Sequence, residues 1–186
     1  IGANLLSNSS ALRTGVGLVG NLLNEEIFKY VAGKINDVIY HSIDLNSKKN
    51  IEYVSEKINS YDAILLGPGI GNDIKFYEPV IQKGINKPII LDAEGISLLT
   101  KKNRTFLPET VIITPHIGEM SKLSKISKED ILKNRLESAL SISKKFEVFT
   151  VLKGPCTIIT SPDQKISFAP WINSGLAKAG SGDVLS

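Results

Sequence analysis

Glycine and serine residues surround a single aspartate near the end of the sequence, in Gly180-Ser181-Gly182-Asp183. Glycines let the backbone bend sharply and approach a ligand, and the apolar pair after Asp183 indicates the first turn of a helix. Free N–H groups at a helix start point toward a phosphate or a developing negative charge. A carboxylate beside such an anion is suited to taking a proton from a hydroxyl that attacks phosphorus. The alternative is a glycine-rich surface turn in which Asp183 caps the helix.

An ammonium group, a glycine and a hydroxyl occur within five residues in Lys153-Gly154-Pro155-Cys156-Thr157. Lysine binds phosphate as a point charge, and the glycine and hydroxyl allow close contact with a nucleotide. The same residues also suit a plain turn between two strands. Cys156 is interpreted as a small packing residue and not a nucleophile, because no base adjoins it in the sequence.

Three further polar sets each follow an apolar run. The first is the loop Gly67-Pro68-Gly69-Ile70-Gly71, which suits either ligand binding or a tight strand-to-helix turn. The second is Asp92, a strand-end carboxylate that also suits a helix cap. The third is the pair His116 and Glu119, held three residues apart after Pro115; a structural role and a ligand contact are both open for His116. His41, inside an apolar run, is interpreted as structural.

The elements that must position these residues follow from apolar patterning. Short apolar runs predict strands, and periodic stretches between them predict helices, so a mainly parallel sheet covered by helices on both faces is expected. A late antiparallel hairpin is predicted at residues 156–168, with its turn at 161–164. Strands are predicted at residues 37–40, 63–66, 88–91, 111–113 and 148–152, and helices at about 51–58, 73–85, 94–100 and 128–145.

Open α/β sheets bind ligands at the carboxyl ends of their strands. Gly67, Asp92, His116 and Lys153 follow four different predicted strands. We therefore expect these four residues to converge on one edge of the sheet.

Composition excludes several classes of protein. The length of 186 residues, 42% hydrophobic and 22% charged, fits one globular α/β domain, and the net charge of +3 is too small and dispersed for nucleic-acid binding. A single cysteine excludes an internal disulfide, and no run is long and apolar enough to cross a membrane, so a cytoplasmic protein is expected. The sequence starts without methionine and stops at a helix start, so we expect the domain to be incomplete at both ends.

Two nucleotide-binding motifs are also rejected. The string Gly15-Val16-Gly17-Leu18-Val19-Gly20 matches G-x-G-x-x-G, but it follows a helical stretch and leads into a strand, the reverse of the required order. The chain contains no G-K-S/T, which excludes a P-loop.

Four strings, taken in order, resemble the ADP/ATP-dependent NAD(P)H-hydrate dehydratases, a branch of the ribokinase-like superfamily. They extend over almost the whole chain and are far more specific together than any one alone. Two departures are visible: Glu94-Gly95 stands where an aspartate is usual, and Ile117 replaces the usual proline. The strings are GPGIG at residues 67–71, TPHIGEM at 114–120, VLKGPCT at 151–157 and GLAKAGSGDVLS at 175–186.

The resemblance implies a ribokinase-like three-layer sandwich and a role for each motif. Asp183 deprotonates the C6 hydroxyl of the hydrated nicotinamide ring, and the N–H groups of Gly180, Ser181 and Gly182 stabilise the transferring phosphoryl group. The resemblance places Asp92 near the phosphates and metal, while Glu119 either orients a water-bound Mg²⁺ or simply starts a helix. Substrate contacts fall on Ala3, Gly69, Gly71, His116 and Asp183, and nucleotide contacts on Lys153, Gly154, Pro155, Cys156, Thr157, Asn173 and Gly182.

The implied reaction is dehydration of hydrated NADH or NADPH, driven by ADP or ATP with Mg²⁺. Relatives are commonly homo-oligomers, with a tetramer favoured, and are often fused to or paired with an NAD(P)H-hydrate epimerase. Two other functions stay open: a ribokinase-like kinase of a small alcohol such as a vitamin precursor, and a non-catalytic nucleotide-binding module. The first shares the G-x-G-D end and the fold but leaves a stable phosphorylated product. The intact Asp183 counts against the second.

Overall fold

A computed structural model describes residues 1–47 and 49–186 of the chain. Its helices and strands alternate as the apolar patterning predicts. In chain order they are α1 Gly2–Arg13, β1 Val19–Asn24, α2 Glu25–Val31, β2 Val38–Ile43, α3 Lys49–Asn59, β3 Ile64–Leu66, α4 Ile74–Ile81, β4 Ile89–Leu91, α5 Lys101–Arg104, β5 Val111–Ile113, α6 Ile117–Ser124, α7 Lys128–Lys133, α8 Arg135–Phe146, β6 Phe149–Leu152, β7 Thr157–Thr160, β8 Ile166–Ala169 and α9 Ser181–Leu185, with 3-10 turns at Gly71–Asp73, Ala93–Leu98 and Ser174–Leu176.

The larger sheet has the order β3-β4-β5-β6-β7-β8. Its first four strands are parallel, and β7 and β8 form the antiparallel hairpin expected at the end of the chain. Four apolar residues of its central strands are completely buried: Leu91, Val111, Ile113 and Leu152. The predicted fold class, a mainly parallel sheet flanked by helices, is confirmed.

The parallel strands lie in two sheets, a division that the sequence did not predict. Strands β1 and β2 pair with each other in parallel and form a separate two-stranded sheet. Among the described residues, no backbone hydrogen bond joins β1 to β3. The G-x-G-x-x-G string follows α1 and runs into the first two residues of β1, the order helix to strand, so its rejection as a dinucleotide fingerprint is confirmed.

Two predicted helices differ from the observed ones. The stretch at 94–100 forms a 3-10 helix, Ala93–Leu98, because Ala93 has a positive φ of 48° and Gly95 packs closely against the carbonyl of Leu66 at the end of β3. The predicted helix at 128–145 is two helices, interrupted at Asn134 with φ −132° and ψ 51°. In the first of these helices Ile131 is completely buried, whereas Leu132 is 59% exposed. Ser127 caps α7, its hydroxyl accepting a hydrogen bond from the N–H of Asp130.

Candidate active site

Asp92, directly after β4, lies at the centre of a polar cluster at the carboxyl edge of the larger sheet. It is 2% exposed. Its Oδ1 accepts hydrogen bonds from the Thr114 hydroxyl after β5, at 2.6 Å, and from the Lys153 ammonium after β6, at 2.9 Å. Its Oδ2 accepts a hydrogen bond from the Ser186 hydroxyl at the end of α9. The carboxyl ends of three strands, β4, β5 and β6, and the end of helix α9 therefore meet at one carboxylate.

This environment keeps Asp92 ionised. Burial alone would raise the pKa of Asp92, but the hydrogen bonds from Ser186, Thr114 and Lys153, together with the charge of Lys153, lower that pKa below its ordinary value. A buried carboxylate with this many donors is a fixed negative charge, and it holds Lys153 in place.

Lys153 extends from the end of β6 toward the glycine loop of α9. Its Nζ atom lies 4.0 Å from a carboxylate oxygen of Glu119 and 3.5 Å from the point that a Cβ atom on Gly182 would occupy. The backbone N–H of Lys153 donates to the carbonyl of Pro115 at 2.9 Å, which joins the loops after β5 and β6. The ammonium group thus lies directly beside the backbone that the sequence assigns to anion binding.

Arg135, the first residue of α8, holds the turn after Lys153. Its guanidinium donates to the carbonyl of Cys156 at 2.8 Å and to that of Leu152 at 3.4 Å. A Cβ atom on Gly154 would collide with the same guanidinium group, so a side chain there would displace Arg135. Gly154 therefore leaves room for the guanidinium group, and Cys156 takes part through its backbone carbonyl.

The Gly180 to Asp183 segment starts the short helix α9. Gly180 has φ +88°, a left-handed conformation that favours glycine, and a Cβ atom there would lie 2.5 Å from Leu6. Helix α1 holds α9 from behind: the hydroxyl of Ser7 donates to the carbonyl of Asp183 at 3.0 Å, and that of Ser10 to the carbonyl of Val184 at 2.6 Å. Gly182 of α9 lies beside Nζ of Lys153, and the charge of Lys153 also acts on Asp183.

Asp183 is a more basic carboxylate than Asp92. Partial burial raises its pKa, and the negative charges of Asp92 and Glu94 raise that pKa further, against the opposing effect of Lys153. A general base works best when its pKa is close to the working pH, so a raised pKa improves a carboxylate in this role. The pKa of Asp92 is thus lowered and that of Asp183 is raised. This difference suits Asp92 to a structural charge and Asp183 to the role of proton acceptor.

His116 and Glu119 form a capping box at the start of α6. Nδ1 of His116 accepts hydrogen bonds from the N–H groups of Gly118 and Glu119, at 2.9 and 3.3 Å, and the Glu119 carboxylate accepts from the N–H of His116 at 2.8 Å. Nε2, which carries the proton of this tautomer, lies 3.4 Å from the other Glu119 oxygen. The His116 side chain is 59% exposed, so the cap leaves one face of the ring open to solvent.

The three glycines of the loop after β3 differ in their surroundings: Gly67 is buried, whereas Gly69 and Gly71 are exposed. Gly67 has φ +137°, and a Cβ atom on it would collide with the carbonyl of Asp92. That glycine lets the loops after β3 and β4 pack together, in agreement with the tight-turn interpretation. Gly69 and Gly71, with φ values of +72° and +56°, have no such backbone contact; a Cβ atom on Gly69 would lie 3.4 Å from that of Ala3. The structure thus brings together Ala3 and Gly69, both predicted to contact substrate.

Asn173 is predicted to bind the nucleotide, but it makes no described hydrogen bond to the polar cluster around Asp92. Its side chain caps the 3-10 turn Ser174–Leu176 by accepting from the N–H of Gly175 at 2.9 Å, and within residues 1–47 and 49–186 no hydrogen bond connects it to Lys153 or Gly182. The exposed residues Gly154 and Pro155 and the half-buried Thr157 lie on the turn that carries Lys153. Their assignment to a nucleotide remains a prediction.

Sequence reasoning missed four residues that build this site. Thr114 and Ser186 bind Asp92, Arg135 holds the turn after Lys153, and Ser7 binds the backbone of Asp183. Thr114 and Ser186 stand inside the recognised strings, so their small hydroxyl side chains offered a signal. Arg135 and Ser7 lie in helices far from the motifs, and only the folded contacts reveal them.

Two searches of the described residues bear on metals and membranes. In the part of the chain that the structure describes, no three His, Cys, Asp or Glu side chains are grouped to hold a metal ion. No described helix is long and apolar enough to cross a membrane.

Comparisons with known proteins identify the family of the chain. The family model described as NAD(P)H-hydrate dehydratase matches residues 1–186. The bifunctional NAD(P)H-hydrate repair enzyme Nnr of Dictyoglomus turgidum is 33% identical over 195 residues, which cover 100% of this chain and 38% of that enzyme. The chain therefore spans well under half of that relative.

Solved structures resemble the chain over almost its whole length. The ADP/ATP-dependent NAD(P)H-hydrate dehydratase of Bacillus subtilis, co-crystallized with ATP/Mg²⁺, superposes with a TM-score of 0.80 at 28% identity, covering 99% of this chain and 64% of that one. A ribokinase-like superfamily protein of Enterococcus faecalis has a TM-score of 0.80 at 24% identity, over 99% of this chain and 63% of its own. The second similarity confirms the ribokinase-like fold.

Proposed function

Because the chain belongs to the NAD(P)H-hydrate dehydratase family, we propose that it converts hydrated NADH or NADPH back to NADH or NADPH at the expense of ADP or ATP. The observation that carries this proposal is the position of Lys153 between the buried carboxylate of Asp92 and the glycine loop that presents Asp183. This arrangement supports the proposal, because it brings the ammonium group of Lys153, the backbone of a glycine loop and a carboxyl group of raised pKa into one small region.

Asp183 starts the reaction. Its carboxylate takes the proton from the C6 hydroxyl of the hydrated ring, and the hydroxyl oxygen forms a bond to the terminal phosphorus of the nucleotide. The bond between that phosphorus and the leaving nucleotide oxygen breaks, which releases AMP from ADP or ADP from ATP. The raised pKa of Asp183, caused by burial and by Asp92 and Glu94, supports this role for the side chain.

The backbone and Lys153 stabilise the charge that moves during transfer. N–H groups of Gly180, Ser181 and Gly182 donate to the phosphoryl oxygens, and the Lys153 ammonium neutralises the nucleotide phosphates. Elimination of phosphate from C6, together with a ring proton, then restores the reduced nicotinamide. The overall reaction is that of a lyase driven by nucleotide hydrolysis.

The residues present fit a magnesium ion that arrives with the nucleotide. Mg²⁺ keeps several waters and usually binds one or two carboxylates plus substrate phosphates, and the structure supplies two carboxylates, Asp92 and Glu119, on either side of Lys153. These two side chains would hold the ion through water. When bound, the ion would neutralise charge on the phosphates.

Substrate recognition is assigned to Ala3, Gly69, Gly71 and His116. The contact between Ala3 and Gly69 and the open face of the His116 ring support this assignment. Asn173, with the turn from Lys153 to Thr157, is assigned to the nucleotide.

We propose that the protein acts in the cytoplasm as a homo-oligomer, with a tetramer favoured, and that it binds neither nucleic acid nor membranes. It acts together with an NAD(P)H-hydrate epimerase, a partnership supported by the bifunctional relative.

The deciding experiment incubates the whole protein with hydrated NADH, ADP or ATP, and Mg²⁺, and follows the recovery of NADH absorbance. Recovery that requires the nucleotide supports the dehydratase. Accumulation of a stable phosphorylated compound from a small alcohol, without recovery of NADH, would establish the kinase alternative instead. Binding of the nucleotide without turnover of either substrate would indicate that the protein is a non-catalytic nucleotide-binding module.

A further inference from the structure

Trp171, the single tryptophan of the chain, is the most exposed large apolar side chain in the part of the chain that the structure describes, at 82%. Ile172 beside it is 76% exposed. Within residues 1–47 and 49–186, no other aromatic ring and no cation packs on the indole. Exposure of this apolar face to water is unfavourable, so a flat partner that covers the indole would gain binding free energy.

The segment that carries Trp171 is held at both of its ends. Before it, strand β8 ends at Ala169, which pairs with Thr157 of β7. Pro170 then follows, and it cannot donate a further ladder hydrogen bond because it has no N–H. After it, the Asn173 side chain caps the next 3-10 turn. Trp171 therefore lies on a short bridge between two anchored points, with its side chain exposed.

This bridge lies beside the turn that is assigned to the nucleotide. The pair of Thr157 and Ala169 ends the antiparallel ladder, so the turn before β7 and the bridge after β8 leave the sheet at the same edge. Lys153 follows β6, two strands away from β8. At about 4.7–4.9 Å per strand, the ends of β6 and β8 are roughly 9–10 Å apart. That separation is comparable to the length of an extended nucleoside diphosphate.

A nucleotide has one anionic end and one flat end, and this edge of the sheet offers a partner to each. Lys153 is the cation proposed for the phosphates, and its Nζ atom lies beside Gly182. The exposed residues Gly154 and Pro155 of the intervening turn have no long side chain to obstruct a ligand. The open indole of Trp171 suits a purine ring, because a base binds to an aromatic side chain through its π-face.

We infer that Trp171 stacks on the adenine ring of the ADP or ATP co-substrate while Lys153 binds its phosphates. The identity of the nucleotide rests on the proposed function, whereas the contact rests on the exposure and place of Trp171. The hydrated dinucleotide also contains adenine, but its proposed contacts His116 and Gly69 follow β5 and β3, and β3 forms the opposite edge of the sheet from β8. The adenine at Trp171 is therefore that of the co-substrate.

Tryptophan emission tests this contact directly. The signal of Trp171 is isolated as the emission that Trp171→Phe removes. Because stacked adenine quenches indole emission, ADP should lower this signal along the same binding curve that calorimetry gives. Inorganic pyrophosphate, which has the phosphates without the base, should bind without lowering the signal. NAD⁺, which carries adenine in a dinucleotide, should leave the signal unchanged at the concentration at which ADP saturates.

Three substitutions separate stacking from support of the bridge. Trp171→Ala should weaken ADP binding at least about tenfold, within the range for loss of a stacked base, and leave pyrophosphate binding unchanged. Trp171→Phe keeps a ring and should retain the ADP affinity of the parent within about threefold. Ile172→Ala is the matched control, because it removes the neighbouring exposed side chain, and it should bind ADP like the parent.

Four results would overturn the inference. They are unchanged ADP binding in Trp171→Ala, equal losses in Trp171→Ala and Ile172→Ala, quenching by NAD⁺ but not by ADP, and an indole that is already buried in the free protein and becomes exposed on dilution. The last result would show that a second copy of the chain covers Trp171.

The binding measurements need no hydrated substrate, so they separate this contact from the proposed function. Quenching by ADP without recovery of NADH absorbance would contradict the dehydratase and leave the stacking contact standing. Recovery of NADH by Trp171→Ala with the KM of the parent for ADP would support the dehydratase and contradict the stacking contact.

Discussion

Nζ of Lys153 lies 2.9 Å from Oδ1 of Asp92, and this ion pair aims the ammonium at the glycine loop of α9. Asp92 is 3% and Lys153 20% exposed in their side chains, so the pair is screened from solvent more than a surface pair would be. The site therefore depends on the charge of a residue that is not itself proposed to react.

Replacing Asp92 by Asn should reduce the free energy of unfolding by roughly 1.5–3 kcal/mol at neutral pH, the value of a hydrogen bond to a charged group. The pKa of Asp92 is lowered in the folded state, so its contribution is complete above its ordinary value of 3.8 and disappears as pH falls through the lower folded pKa. Urea unfolding at pH 7 and pH 3 measures this, and the variant and parent should converge at the acid end. An equal difference at both pH values would contradict the ion-pair explanation.

Replacing Asp183 by Asn should lower turnover by about 10² to 10⁴ while ADP or ATP still raises Tm, because binding to the folded state alone stabilises it by mass action. The same substitution should raise stability above the raised folded pKa of Asp183, since it removes a carboxylate that burial and Asp92 disfavour. That gain should shrink as pH falls through this pKa. Turnover close to that of the parent would remove Asp183 as the general base.

Gly182→Ala tests the space beside Lys153. The added Cβ atom would lie 3.5 Å from Nζ, an ordinary van der Waals distance, so the protein should fold with its Tm nearly unchanged. The methyl group would nevertheless occupy space assigned to the phosphoryl group, and misplacement by about 1 Å costs roughly 10²-fold in rate. Gly17→Ala, where nothing lies within 4 Å, is the matched control. Equal rates for the two variants would place the phosphoryl group elsewhere.

The sequence predicted the strand ends of this site better than its helices. Gly67, Asp92, His116 and Lys153 could be placed because a parallel sheet brings the carboxyl ends of its strands to one edge, and Asp92 does contact the residues after β5 and β6. The break at Asn134 and the 3-10 helix after Asp92 depend on packing between loops, which local periodicity does not encode. The separation of β1 from β3 depends on strand pairing, which a pattern of apolar runs does not determine.

His116 has two roles to separate, the cap of α6 and the proposed contact with the substrate. His116→Ala should cost about 1 kcal/mol of stability, because it removes the cap of α6, and should raise the apparent KM for the hydrate without changing nucleotide binding. His116→Asn should restore the cap but not the imidazole contact. Kinetics with each substrate varied in turn, and Ser127→Ala as a control for loss of a cap alone, test this. A normal KM in His116→Asn would show that the ring acts only as a cap.

Arg135 lies far from the motifs in the sequence, and only the folded structure shows its contacts. Its guanidinium donates to the carbonyls of Cys156 and Leu152, so it fixes the turn that follows Lys153. Arg135→Met keeps much of the apolar stem but removes the donors, and it should weaken ADP binding roughly tenfold, about 1.4 kcal/mol, through movement of the turn. Lys144→Met removes a positive charge from the exposed side of the same helix α8 and should leave ADP binding unchanged. Calorimetric titration of both variants with ADP makes the comparison: equal losses would mean that α8 acts only through its net charge, whereas a loss confined to Arg135→Met would establish Arg135 as a positioning residue for the nucleotide turn.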